Sequence, residues 1–176
     1  NIHGTNIRNA TVTLSQNEFD YNGEEYKPGA TVVLDGDTLI EGTDYTVAYS
    51  KNINDGTGFV TVTGKGIYEG SISVVFKINA ASIEGKTVTL DYDKVNYDGT
   101  AKEPGVAVDG LTTDDYKVTY SNNINAGTAT VTVTGKGNYE GTITDTFQIE
   151  QYLQQAIQQA YQAPYTHTMA MLRHLM

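Results

Sequence analysis

Two copies of a Gly-Lys-Gly stretch, Gly64–Gly66 in VTVTGKGIYEG and Gly135–Gly137 in VTVTGKGNYEG, contain the residue types that cradle phosphate. A phosphate loop needs four residues between its first Gly and a Gly-Lys-Ser/Thr, then a helix whose amide ends face the anion. Here Lys65 is followed by Gly66, and the residues beyond Gly70 alternate like a strand. The dinucleotide fingerprint fails as well, because three residues rather than two separate Gly66 from Gly70. The spacing specifies a turn, with Tyr68 and Tyr139 packed between glycines and Lys65 and Lys136 in water.

Other chemistry is thinly supplied. Cys is absent and His3 is the one imidazole outside the last 26 residues, so neither a thiol nor a Ser-His-Asp arrangement has its parts. No enzyme is expected. Acidic pairs such as Asp114 and Asp115 read first as a solvated surface. Asp35, Asp37, Asp91 and Asp93 are the candidate calcium ligands, near a loop or a module junction, although no loop offers the alternating run of oxygen donors that calcium favours. Among the tyrosines, Tyr26, Tyr68, Tyr92 and Tyr139 are the candidate sugar platforms, weighed against core packing at strand period. A Lys-to-Asn isopeptide bond would have to draw on Lys65/Lys136 and Asn54/Asn125, which all fall in expected turns.

Composition narrows the partners. The formal net charge of -10 disfavours a nucleic-acid backbone or an anionic lipid surface. No run reaches the roughly 18 apolar residues of a membrane-spanning helix. The first residue is Asn1 rather than Met, so the expectation is a fragment or a processed product.

The elements that must position these residues come from a repeat. Thr11–Gly29 aligns with Thr87–Gly105 at an offset of 76, and Asp44–Ile78 with Asp115–Ile149 at an offset of 71, the latter with 23 identities in 35 positions. The difference is a loop change between DGDTLIEGT and DGLTTD. Within each copy the period is two: Tyr45, Val47 and Tyr49 alternate with Thr46, Ala48 and Ser50, and Val60 and Val62 with Thr61 and Thr63. Asp55-Gly56, and Asn125 to Gly127 in the second copy, suit a hairpin turn between these strands. Asp145 interrupts an otherwise apolar line and is expected at a strand edge or bulge. The fold expected is all-β, with about six strands per copy: two small tandem sandwiches over 7–79 and 87–150, joined by 80–86, or alternatively an open, grasp-like sheet. The short linker leads one to expect a semi-rigid rod.

The order Tyr-Asp-Gly, Pro, Asp-Tyr-x-Val-x-Tyr, Asn-x-Asn-x-Gly-Thr, Val-Thr-Gly-x-Gly-x-Tyr-x-Gly and Phe-x-Ile, over about residues 7–150, resembles the immunoglobulin-like repeats of Firmicutes cell-surface proteins, and is similar to MBG modules. The resemblance implies an extracellular stalk or spacer segment at a Gram-positive surface, presenting another domain or touching a host surface. A glycan- or protein-binding adhesin module is the alternative, and decoration of a virion or fibre the third. It brings no catalytic residues and no cofactor, and no Leu-Pro-x-Thr-Gly motif is present.

Residues 151–176 have a different composition, with no Gly, Asp or Glu and all three Met. Leu153, Ile157, Ala160 and Tyr161 share a helical face that Pro164 ends. Three readings stand for this tail: an appended segment foreign to the module, a helix docking on the second copy, or a self-association segment.

Overall fold

The computed structural model describes residues 4–151 and Ile157. The readings of the tail therefore lie outside the described residues. In chain order the first copy forms β1 (Thr5–Asn6), a 3-10 turn (Ile7–Asn9), β2 (Thr11–Leu14), β3 (Glu18–Asp20), β4 (Ala30–Leu34), β5 (Asp37–Thr38), β6 (Tyr45–Ser50), β7 (Gly56–Gly64), β8 (Tyr68–Glu69) and β9 (Ser71–Asn79). The second forms β10 (Ala81–Ser82), β11 (Val88–Leu90), β12 (Lys94–Asn96), β13 (Val106–Val108), β14 (Tyr116–Ser121), β15 (Gly127–Gly135), β16 (Tyr139–Glu140) and β17 (Thr142–Glu150). By compactness the chain divides into unit 1, Asn1–Ile83 with Gly135–Gly141, and unit 2, Glu84–Thr134 with the segment from Thr142.

The alternation read from sequence sets the central strands. Val60 and Val62 of β7, and Val131 and Val133 of β15, are fully buried, while the Thr residues between them point to the opposite face. In unit 1, β7 pairs antiparallel with β6 from Tyr45↔Gly64 to Ser50↔Phe59, and with β9 from Gly56↔Ile78 to Thr63↔Ser71. β3 joins the outer side of β9 in parallel, giving the order β3-β9-β7-β6. A second, antiparallel sheet has the order β2-β4-β5. Unit 2 repeats the scheme as β12-β17-β15-β14 and β11-β13. Its second sheet lacks a partner for β5, because the five-residue difference between the copies removes that strand.

The sheets face each other across apolar clusters, which decides for a sandwich over a single open sheet. Val32 and Leu34 from β4 meet Tyr45 and Val62, with Ile7 and Leu39 alongside. Val60, Phe76 and Ile78 meet Leu14, Phe19, Tyr26 and Ala30. In unit 2 the buried set is Val108, Tyr116, Ala129, Val131, Val133, Phe147 and Ile149.

Each copy crosses between its sheets in three residues. Ser15 N–H donates to the Gly29 carbonyl in the small sheet (2.8 Å), while the Asn17 carbonyl accepts from Lys77 N–H in the large one (2.8 Å). Asp91 and Asp93 do the same with Gly105 and Gln148, at 3.0 and 2.8 Å. Asp35 and Gly36, with φ of 54° and 96°, make the two-residue turn between β4 and β5, a conformation that suits Asp-Gly. The tight turn expected at Asp55-Gly56 is instead a longer loop over 51–55: the β6–β7 ladder ends at Ser50↔Phe59, Lys51 is left-handed at φ 52°, and Gly56, which opens β7, takes the expected positive φ at 125°. Asp145 pairs with Val131 in an unbroken register, so it is not in a bulge, and it lies at an edge of the sheet, since β12 flanks β17 only over Gln148–Glu150.

Gly58 and Phe76 are fitted to each other. A Cβ on Gly58 would fall within the Phe76 ring, and that ring stands edge-on to Phe19 at 5.6 Å. At the matching place unit 2 has buried Ala129, with Val95 where Phe19 stands. We expect Gly58→Ala to destabilise the protein by about 1–3 kcal/mol through overpacking, and Phe19→Val in the same chain to recover part of that loss. Chemical denaturation checks both, and additive losses would contradict the coupling.

Candidate functional site

The candidate tyrosines are placed by packing. Tyr68, in β8 against Thr5–Asn6, is half-buried and packs on the Ile7–Val32–Tyr45 cluster. Tyr139, in β16 beside Ala81–Ser82, sets its ring edge-on to Tyr21 at 5.4 Å. Tyr26 stacks on Phe19 at 4.2 Å and donates its hydroxyl to the Asp20 carbonyl at 2.6 Å. Tyr92 stands edge-on to Phe147 at 5.9 Å. Each ring thus has one face or edge committed to the protein, and Tyr26, Tyr68, Tyr92 and Tyr139 are all only half-exposed.

The candidate calcium ligands are exposed and distributed over turns and crossovers: Asp35 at the β4–β5 turn, Asp37 in β5, and Asp91 and Asp93 in the crossover before β12. Among the described residues no three His, Cys, Asp or Glu come together. The GKG turn is equally occupied with structure. Lys65 donates its ammonium to the Gly42 carbonyl and its backbone N–H to the Asp44 carbonyl. Gly66 and Gly70 take φ of 69° and 81°, angles that side chains disfavour.

A set of fastenings that the periodicity did not single out runs through both copies. Asn52 is buried; its amide donates to the Tyr26 carbonyl at 3.0 Å, and its own carbonyl accepts from Tyr26 N–H at 2.8 Å. Asn123 and Lys102 repeat the clip at 3.0 and 2.7 Å. Tyr45 and Tyr49 donate to the carbonyls of Ala30 and Pro28, as Tyr116 and Tyr120 do to those of Val106 and Pro104. These bonds cross from the large sheet to the strand or entry of the small one. The signal in sequence is that these Tyr and Asn residues are identical between copies while their outward neighbours change.

Burial is the main reason the hydroxyls of Tyr45, Tyr49 and Tyr120 titrate above their ordinary 10.0, with nearby acids, Glu41 for the first two and Glu103 for the third, adding to it. At Lys102 the second copy departs from the first. Where Tyr26 stacks on Phe19, Lys102 reaches Asp98 at 2.5 Å and the Thr100 hydroxyl at 3.2 Å. The Lys102 ammonium foremost, then the Thr100 hydroxyl and amide, hold the Asp98 carboxyl far below its ordinary 3.8. Amide formation needs a neutral amine and a protonated acid, so this pair is set as an ion pair rather than as an isopeptide precursor. Lys65 and Asn54, considered earlier for that bond, are held by other partners, Gly42 and Asn138.

Two pH responses follow. Folding raises the phenol pKa values, so the folded chain binds protons more tightly than the unfolded one; stability is full below 10.0 and falls as pH rises above it. The melting temperature should drop above that pH, and the Tyr49→Phe/Tyr120→Phe variant should lose about 1 kcal/mol per hydroxyl at neutral pH yet show a shallower alkaline fall. An equal fall in the variant would refute the assignment. Asp98 has the opposite sign: its contribution is present above 3.8 and is lost as pH falls through the depressed value. Lys102→Met should return the Asp98 carboxyl towards 3.8, read by carbon-13 NMR titration.

No family model and no curated protein matches the chain. Among solved structures it is similar to a chain of the protocadherin gammaB7 EC3-6 cis-dimer, at 14% identity and a TM-score of 0.23, over 80% of this chain and 47% of that one. This chain therefore spans less than half of that neighbour's length, and the fold rests on its own strands.

Proposed function

We propose that the chain is a structural repeat segment of an extracellular, cell-surface protein of bacterial type, a spacer that presents a neighbouring domain rather than a catalyst. The carrying observation is where the residues common to both copies go. Asp44/Asp115, Tyr45/Tyr116, Tyr49/Tyr120 and Asn52/Asn123 all bond backbone groups of their own copy. The repeat motif preserves what holds the sandwich together. The outward positions of β9 and β17 diverge, at Ser73/Thr144, Val75/Thr146 and Lys77/Gln148. The resemblance of the motif order to surface-protein repeats points the same way, and the acidic balance suits an exposed surface.

The test is an array of glycans and surface proteins probed with the full chain. We expect no saturable binding, with Tyr68→Ala lowering stability by about 2 kcal/mol as loss of a half-buried ring does. Saturable binding abolished by Tyr68→Ala or Tyr139→Ala at unchanged melting temperature would overturn the spacer and establish the adhesin.

A further inference from the structure

In unit 1 three groups of the first copy meet the turn Gly135–Gly141, which belongs to the same compact unit. Asn138 at the tip of that turn accepts from the Asp55 N–H at 2.9 Å and donates to the Asn54 side-chain carbonyl at 3.1 Å. Beside it the Tyr139 ring stands edge-on to Tyr21 at 5.4 Å. An asparagine amide carries an acceptor and donors together, so one tip residue answers both groups of the 51–55 loop. The loop contributes a backbone N–H at Asp55, so this bond does not depend on which side chain stands there.

The second copy presents the same three groups. Asn125 and the Ala126 N–H stand where Asn54 and the Asp55 N–H stand, and Tyr97 stands where Tyr21 stands. The two loops share a backbone conformation: Asn122 and Gly127 take φ of 56° and 133°, against 52° and 125° at Lys51 and Gly56. The Asn123 clip holds the second loop as the Asn52 clip holds the first. The chain also leaves both copies at the same place, since the Glu150 carbonyl accepts from Tyr97 N–H, and the Asn79 carbonyl from Tyr21 N–H, each at 2.8 Å. What differs is occupancy. Among the described residues the Asn125 side chain and the Ala126 N–H have no hydrogen-bond partner, and the Tyr97 ring has no ring partner. Asn125 and Ala126 are exposed, and Tyr97 is half-buried.

We propose that the 122–126 loop and Tyr97 form a docking face for a further repeat of this kind joined beyond β17, engaged through the Asn-Tyr tip of its Gly-Lys-Gly turn. The tip Asn accepts from the Ala126 N–H and donates to the Asn125 side-chain carbonyl, and the Tyr after it sets its ring against Tyr97. The Gly64–Gly70 turn is not this occupant, because Ile67 at its tip offers neither a donor nor an acceptor. Residues 151–176 begin where 80–86 leads from the first copy into the second, and they contain neither Asn nor Gly, so they do not supply such a tip. The proposal rests on the repeat-segment reading. Array binding tests that reading and amide exchange tests this face, so failure of one is told from failure of the other.

The experiment duplicates residues 80–150 between Glu150 and Gln151, so that β17 runs into Ala80 as β9 does, and follows amide hydrogen exchange by NMR, corrected for intrinsic rates. In the chain without the insertion, the Asp55 amide should exchange about tenfold more slowly than that of Ala126, the factor expected of one net hydrogen bond. A slow Ala126 amide there would overturn the proposal, because the group would already be engaged. With the insertion, Ala126 of the original second copy should slow by the same factor, while Asp55 keeps its protection. Asn138→Ile made in the inserted copy alone should restore fast exchange; isoleucine is what the first turn carries, so the turn tolerates it. A second variant reads the face without an insertion: Ile67→Asn gives the Gly64–Gly70 turn an Asn-Tyr tip. This unlabelled full-length chain, in large excess over isotope-labelled unsubstituted chain, should move the Ala126 amide signal, whereas unlabelled unsubstituted chain should not. An Ala126 amide that neither the insertion nor the Ile67→Asn chain affects would overturn the proposal, as would slowing that persists when the inserted tip is Ile.

Discussion

A sandwich built from about seventy residues must keep its two small sheets in register with very little material between them, and here the backbone of three residues does it. At Ser15–Asn17 and again at Asp91–Asp93, one N–H is bonded into the small sheet and a carbonyl two residues later into the large one. A strand switching sheets in this way covers two edges with one passage of chain and leaves no long unpaired border between them. The buried valines of β7 and β15 can face an apolar layer because that passage fixes the opposing sheet over them.

Polar bonding then refines what apolar burial begins. Tyrosine suits the purpose: its ring fills the layer while its hydroxyl reaches a carbonyl across it. The Asn52 and Asn123 clips bind the β6–β7 and β14–β15 loops to the segments leading into β4 and β13, in both copies with the same two bonds. Where the copies differ, they differ in linked sets. Phe19, Tyr26 and Gly58 form an aromatic stack over a vacant Cβ position; Val95, Lys102 and Ala129 replace it with a smaller apolar residue, an ion pair to Asp98 and a methyl group. Each set fills its volume, and single residues moved between them would not.

The fold was legible because alternation of Val with Thr and Tyr with Ser is a direct imprint of the pleat, and because repetition revealed the alignment twice. Less legible were features that depend on registry rather than pattern. Asp55-Gly56 has turn chemistry, yet the left-handed residue that lets the hairpin open is Lys51, whose type gives no hint of it. Asp145 interrupts an apolar line where β12 no longer flanks β17, and what pattern could not give is its setting: buried Val131 opposite it on β15, and its carboxylate accepting from the next amide, Thr146 N–H, at 2.8 Å. The aspartates singled out for a cation are residues whose backbone, or whose tolerance of positive φ, the fold uses. The tyrosines were read both ways, as packing and as platforms, and residue type alone could not say which way a ring would face.

The parallel pairing of β3 with β9, and of β12 with β17, has a consequence under load. The chain reaches β3 and β12 only after β2 and β11, through the crossover, and leaves each sandwich at the far end of β9 or β17. Tension between the crossover and that last strand therefore slides the paired strands past each other, and the bonds from Asn17 to Tyr21, or from Asp93 to Tyr97, bear it together. An antiparallel hairpin pulled at its open end would instead surrender its bonds one at a time, like a zip. The topology gives each sandwich a clamp in shear between its crossover and its last strand.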